Sequence, residues 1–289
     1  MPIDFFTASD GVHVRQSFES PTVYLDHWAV RMLSDDLSLQ TRFVNALMLK
    51  GGTLLLSNFS FIEFSGAFDP RHCLDAERFI DRLLPNIYFT DFAVDKILER
   101  ESAEFNNEKR FWPPADLPLL QFLAERSISN SQKITMYGFL SLFHEHQTEL
   151  LQLKDQIICM IRDALNGCRD DASYVAKARN VRPTNERTRI LIILGELLHG
   201  FNLDSRSRIT DNDIIDLLHA AMPLNCCDYI LLDGPWAERV EKMKHRISKT
   251  SMNMPVAKCF SKRENGVESF LADLESFDKA DHLVEAARP

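Results

Sequence analysis

Residues 22–57 read TVYLDHWAVRMLSDDLSLQTRFVNALMLKGGTLLLS, and this stretch decides the fold class. Its opening, TVYLD (22–26), is a β-branched and aromatic run that ends on an acid, which predicts a short strand. In the segment that follows, Phe43, Leu47 and Leu49 fall at roughly helical spacing, and Gly51-Gly52 makes a stop. TLLLS (53–57) is then a continuous apolar run, the pattern of a strand buried on both faces.

Working outward, Ser57-Asn58 offers a helix cap, and FSFIEFSGAF behind it carries Glu63. Pro70 opens a second helix, PRHCLDAERFIDRLL, with an expected apolar stripe of Leu74, Phe79, Ile80 and Leu83. NIYFT (86–90) reads as a third strand. Strands alternating with helices predict an α/β fold with a central parallel sheet and right-handed crossovers.

From 91 to about 135 the pattern weakens, and FWPPADLP (111–118) is a rigid break, the best candidate for an internal boundary. A long helix is predicted over roughly 134–167, with a stripe running from Phe139 through Leu142, Phe143, Leu150, Leu153, Ile157 and Ile161 to Leu165. Residues 169–189 are polar and rich in Arg, as a loop would be. Order returns with RILIILGELLHG and with ITDNDIIDLLHAAMP, an amphipathic helix whose acid-rich first turn suits the helix dipole. CCDYILLD (226–233) is a fourth apolar strand ending on an acid. The chain after Pro235 reads as helical, then basic and irregular, then acidic.

The chain has 289 residues, and its 45% hydrophobic content is enough for a sizeable core. A net charge of −9 argues against a protein coated in basic charge for indiscriminate nucleic-acid binding, while leaving room for a local basic patch. The six cysteines include no C-x-x-C pair and no zinc-type His/Cys spacing, which suits reduced thiols. MPIDFFTASDGVHVRQ lacks the basic start and apolar run of a signal peptide, and no apolar stretch approaches the ~20 residues of a membrane span. The expectation is a soluble, cytoplasmic protein with no membrane partner.

Two apolar strands end on an aspartate, at Asp26 and Asp233. In an open parallel sheet such positions share the carboxyl edge, where ligands bind. Glu63 and Asp216 lie near the starts of helices that leave or approach the same edge. Four converging carboxylates repel one another unless a cation sits between them, and hard oxygen ligands suit Mg2+ or Mn2+. Such ions activate water for attack on a phosphodiester.

At these residues the chain resembles the PIN-like domain nuclease family. TVYLDHWAV, SNFSFIEFSG, DIIDLLHAAMPL and CCDYILLD are similar to its successive motifs, and the offset of the first two acids (63 − 26 = 37) is ordinary for it. Asp216 matches the acid opening the family's late helix, with LLHAA in place of the usual small-residue run, and Asp233 matches the acid after the last core strand. The resemblance covers about 22–91 and 190–240. It implies a PIN-like three-layer fold with a large helical insertion: residues 1–91 and 190–247 as the two parts of the core, 92–189 inserted, and 248–289 as a C-terminal tail. It further implies a metal-dependent endoribonuclease with Asp26, Glu63, Asp216 and Asp233 as ligands of Mg2+ or Mn2+, and RNA as substrate. Rival readings are a structure-specific DNA nuclease, an inactive RNA- or protein-binding module, and a nuclease restrained by an inhibitory protein partner.

Each residue also has a plainer reading. A strand-end aspartate is often a turn acid, and acids at a helix start often serve only the dipole. Asp213 competes with Asp216, three residues away on nearly the same face. Asp228 competes with Asp233, but it precedes its strand and is expected to be a turn or capping acid. Five residues of strand separate the two by ~16 Å. Asp91, at the end of the third strand, is a fringe candidate. His219 can bond a phosphate or carboxylate, or be simply a satisfied half-buried side chain. His144 and His146 are two apart and point in different directions on a helix, against a shared metal. Basic residues suited to phosphate contacts fall in two clusters: Lys177, Arg179, Arg182, Arg187 and Arg189, then Lys242, Lys244, Arg246 and Lys249.

Overall fold

A computed structural model describes residues 3–9, 11–65, 70–91, 93–103, 112–129, 135–180, 182–184, 187–203 and 208–279. The chain opens with an antiparallel hairpin, β1 (Ile3–Ala8) and β2 (Gly11–Gln16). β3 (Thr22–Leu25) follows and leads into two helices, α1 (His27–Asp35) and α2 (Leu37–Lys50). Asp36 makes the division. Its N–H closes the last turn of α1 onto Met32, and its side chain accepts from Ser38 N and Leu39 N to start α2. Gly51, at φ 59°, ends α2 in the left-handed region that glycine tolerates. Phe43 and Leu47 are buried, but Leu49 is exposed, because two residues along a helix turn a side chain about 200° away.

β4 (Thr53–Ser57) is buried at every residue, as its apolar run predicts. It runs into α3 (Asn58–Ser65), which carries Glu63; residues 66–68 of the predicted segment lie outside those described. In α4 (Pro70–Asp81) the buried face is Cys73, Ala76, Glu77, Phe79 and Ile80. Leu74, expected on that face, is on its exposed edge. β5 (Ile87–Thr90) is the third strand of the main sheet.

Among the described residues five helices follow: α5 (Val94–Ala103), α6 (Leu117–Ser129), α7 (Phe139–Glu145), α8 (Gln147–Asp170) and α9 (Ala172–Asn180). The rigid Pro-rich segment before α6 is strapped along β5: Asp91 N donates to Pro114 O at 2.9 Å and Asp116 N to Phe89 O at 3.1 Å. The long helix predicted over 134–167 is two helices that meet at His146, and residue 134 lies outside the described residues. Its stripe is only partly buried. Phe139 enters the core, Leu153 is exposed, and Ile158 is the fully buried residue of α8. Part of the predicted 169–189 loop is helix, as α9.

α10 (Arg189–Leu197), α11 (His199–Leu203) and α12 (Asp211–Cys226) bring the chain to β6 (Tyr229–Leu231). α13 (Gly234–Ile247), β7 (Lys258–Phe260) and α14 (Gly266–Ser276) complete the described fold. The region after 248, expected from the sequence to be a C-terminal tail, supplies an edge strand and a helix whose Phe270, Leu271 and Leu274 are fully buried.

The main sheet is parallel throughout, in the order β5-β4-β3-β6-β7. Alternate residues of its strands enter two separate apolar clusters. Val23, Leu25, Leu54, Leu56, Ile87, Phe89 and Leu231 pack against α1, α2, α4 and α14. Tyr24, Leu55, Tyr88, Ile230 and Leu232 pack against α10, α12 and α13. Helices thus cover both faces of a parallel sheet. The chain winds outward from β3 to β5, then returns to lay β6 against β3. That reversal opens a crevice at the carboxyl ends of β3 and β6, the place where open α/β sheets bind ligands. No helix among the described residues is long and apolar enough to cross a membrane.

Candidate metal centre

Asp26 and Asp233 stand at this crevice, one residue beyond β3 and two residues beyond β6. Each caps the helix that follows its strand. Asp26 Oδ1 accepts from His27 N at 2.7 Å, and Asp233 Oδ1 accepts from Trp236 N at 2.9 Å. One oxygen of each carboxylate serves its cap, so the plain capping role and a ligand role are compatible in the same side chain. Backbone pairing of β3 with β6 continues one step further, from Asp26 N to Leu231 O at 3.1 Å, which fixes where the acid emerges.

Glu63, on α3, and His219, on α12, approach Asp26 from two other elements. One donor atom from each of Asp26, Glu63 and His219 lies within 4.8 Å of the others. Opposite ligands of an ion bound at ~2.1 Å stand ~4 Å apart, so this group can hold a metal ion. His219 Nε2 is 2.5 Å from Glu63 Oε2, an ion-pair distance, but off the line of a directed ring N–H hydrogen bond. Its Nδ1 meets the Tyr24 hydroxyl, and Phe59 lies against the ring with centroids 5.4 Å apart. Tyr24 is itself fully buried on β3, so the strand that positions Asp26 also orients the imidazole.

Burial and mutual repulsion dominate the electrostatics. Burial is the larger cause that pushes Asp216 up to about 7, with Asp233 and Asp26 adding repulsion. Asp26 is pushed up to about 6, again chiefly by burial, although His219 and the His27 hydrogen bond pull it down. Burial alone would raise Glu63 as well, but the imidazole of His219 outweighs it and holds this carboxyl below its ordinary value. Conversely, burial opposes charge on His219, and Glu63, Asp26 and Asp216 together raise it. Tyr24 lies well above the ordinary phenol range because of burial, then Asp26 and Glu63, and therefore keeps its proton. A proton on His219 thus supplies the positive charge that the surrounding acids require.

All four acids read from the sequence belong to one electrostatic neighbourhood, with Asp26 and Glu63 in the tight group beside His219. Their competitors are engaged elsewhere. Asp213 closes a capping box with Thr210, accepting from its N at 2.9 Å and its Oγ1 at 2.6 Å. Asp228 lies at the opposite end of the sheet, where Oδ2 accepts from Thr22 N at 2.7 Å and Thr22 Oγ1 at 2.9 Å. That is the turn role its place before the strand predicts. Asp91 pairs with Lys96.

Arg189 departs from its expected surface role. It is buried, donates to Asn225 O at 3.0 Å and to Pro255 O, and so ties α10 to the ends of α12 and the loop before β7. His219 is the residue that sequence reasoning underrated. Its signal was the i, i+3 spacing from Asp216, which puts the two on one face of α12. Comparison with known protein families, with characterised proteins and with solved structures found no match.

Proposed function

We propose that this chain is a metal-dependent nuclease that hydrolyses phosphodiester bonds, with RNA as the primary substrate, in the manner the PIN-like resemblance implies. The observation that carries the reading is the meeting of Asp26, Glu63, Asp233 and the α12 pair Asp216 and His219 at the crevice between β3 and β6. A stable scaffold has no need to hold four acids together where burial pushes two of them, Asp26 and Asp216, toward their neutral forms.

The donor set fits a divalent cation. Carboxylate oxygens suit Mg2+ or Mn2+, and an imidazole nitrogen among them shifts preference toward Mn2+ and later transition metals. When bound, such a cation would polarise the phosphodiester and supply the nucleophilic water. Asp26 and Glu63 would hold it with His219, and Tyr24 would keep the imidazole aimed. Asp216, with a carboxyl near neutrality, and the imidazolium of His219 would each release a proton as the cation takes over the positive charge.

The test incubates purified protein with single-stranded RNA and DNA, in millimolar Mn2+ or in chelator. Cleavage is expected with Mn2+, preferentially of RNA, and none with chelator. Asp26→Asn should abolish cleavage and Mn2+ binding while keeping the circular dichroism spectrum. Absence of divalent-ion binding in calorimetry at millimolar concentration would remove the metal centre. One observation favours a second reading: the 2.5 Å Glu63–His219 contact is also what a purely structural buried ion pair would show. On that reading Mn2+ leaves the melting temperature unchanged.

A further inference from the structure

α13 starts at Asp233 and runs away from the metal centre, and one of its faces lines a groove. Pro235, Glu238, Arg239, Lys242 and Arg246 recur at i, i+3, i+4, i+7 and i+11, a single helical stripe. Facing them are Glu196 and Leu197 of α10 and Gly200 of α11, around an open cavity of about 270 Å³. Glu196 also lines a second cavity of about 270 Å³ between α9, α10 and α11, where Tyr174, Lys177, Arg187 and Leu191 are found. The two cavities adjoin at this residue. Together they extend from the first turn of α13 to α9, along ~16 Å of α13 alone.

The lining is positive in a chain of net charge −9. Five cations face two acids, and both acids are already paired: Glu196 with Arg246 at 2.5 Å and Glu238 with Lys242 at 2.7 Å. Arg239 is held by aromatic faces, its guanidinium carbon 4.0 Å from the Phe201 centroid and 5.4 Å from that of Trp236. It also stands 3.9 Å from Asp213. Lys177 and Arg187 are exposed, as are Tyr174 and Leu191 beside them. A cationic groove that follows a backbone and offers exposed flat or apolar side chains is how single-stranded nucleic acid is held without sequence reading. Cavities of this volume lie at the small end of ligand sites, a size for individual bases and phosphates and not for a duplex.

We propose that the groove along α13, with the cavity under α9, is the track on which a single strand of nucleic acid lies as it leaves the metal centre. The proposal rests on the nuclease reading for what happens at Asp26, but the track is a binding site in its own right. The two cationic segments, far apart in sequence, act as one surface because α9 and α13 flank the same pair of helices.

The test measures binding of fluorescein-labelled oligouridylate, a 12-mer and a 3-mer, in chelator so that no cleavage occurs. A Lys177→Ala/Arg187→Ala double variant removes exposed side chains at the far end, and its melting temperature should match the wild type. The 12-mer is expected to bind it about tenfold more weakly, with a salt slope shallower by about 1.4, the value for two lost contacts to a single strand. The 3-mer should lose nothing. Unchanged 12-mer affinity and slope would overturn the track, as would an equal loss for both lengths or equal affinity for a duplex. If wild-type protein binds the 12-mer in this pattern yet cuts nothing in Mn2+, the track stands and the nuclease reading falls. If it cuts RNA but the variant binds normally, the reverse holds.

Discussion

Asp216 and Asp26 reach about 7 and about 6, against ordinary values of 3.8, because both are partly or largely withdrawn from water among other acids. Between about pH 4 and pH 7 the folded protein therefore holds protons at these groups that the unfolded chain has released. Stability falls with rising pH wherever the native state binds more protons, so metal-free protein should melt lower at about pH 8 than at about pH 5. His219 acts in the same direction. Its raised value contributes stability that is present below its ordinary 6.5 and is lost as pH climbs through the folded value. Glu63, lowered, contributes fully above 4.5 and does not oppose the trend in this window. At the proposed metal centre, millimolar Mn2+ would replace the missing protons, so its gain in melting temperature should be larger at pH 8 than at pH 5. Equal gains at both values, read by thermal scanning, would mean that the cation binds elsewhere.

Strand direction explains why two aspartates five residues apart have unlike roles. β6 runs from the Asp228 end to the Asp233 end, and because it pairs in parallel with β3, its start lies beside Thr22 and its end beside Asp26. Asp228 and Thr22 are bonded both ways, with Asp228 N also donating to Thr22 O at 2.9 Å and Thr22 Oγ1 at 2.8 Å. Asp228→Ala strips two buried donors of their acceptor, at about 1–3 kcal/mol per group left unsatisfied. Denaturant titration should show that loss, while Mn2+ affinity stays as in the wild type. Asp233→Ala should give the opposite pattern, cutting Mn2+-dependent cleavage by orders of magnitude while costing only the ~1 kcal/mol of a lost cap. The reverse pairing of effects would place the metal at the Cys-Cys-Asp turn.

For the whole molecule, the chain beyond 248 completes the architecture. β7 covers the free edge of β6, and Phe270 of α14 packs against Phe43 of α2 and Phe260 of β7. Arg42 of α2 pairs with Glu268 at 2.6 Å and Glu275 at 3.0 Å, joining the same two helices at the surface. Burial of Phe270, Leu271 and Leu274 contributes about 1.5–3 kcal/mol each, a large share of a stability of about 5–15 kcal/mol. A chain ended at residue 250 should therefore be insoluble or lack a cooperative melting transition. A soluble product with unchanged melting temperature would show that the last strand and helix are dispensable.

The amino-acid sequence specifies local features. Runs such as TVYLD, TLLLS, NIYFT and CCDYILLD specify buried strands because two-sided burial demands apolar side chains at every position, and the acids at 26 and 233 mark where two of those strands leave the core. The alternation of strands with helices carried the parallel sheet. The first hairpin pairs Ala8 with Gly11, so Gly11 is a strand residue and not part of an Asp-Gly turn, and IDFFTA does not alternate; the three residues of β7 are too few to form a pattern. Helix faces drifted where one side chain stood for a stripe, as Leu49, Leu74 and Leu153 show. Tertiary structure alone decided that Tyr24 would meet His219 across 195 positions, that Glu63 would close on the same imidazole, and that Arg189 would be buried while Arg187 stays at the surface. Spacing along a chain encodes which way a side chain faces from its own element, whereas convergence depends on the order in which strands enter the sheet. That order, with β6 laid against β3, is set by the packing of all the helices at once.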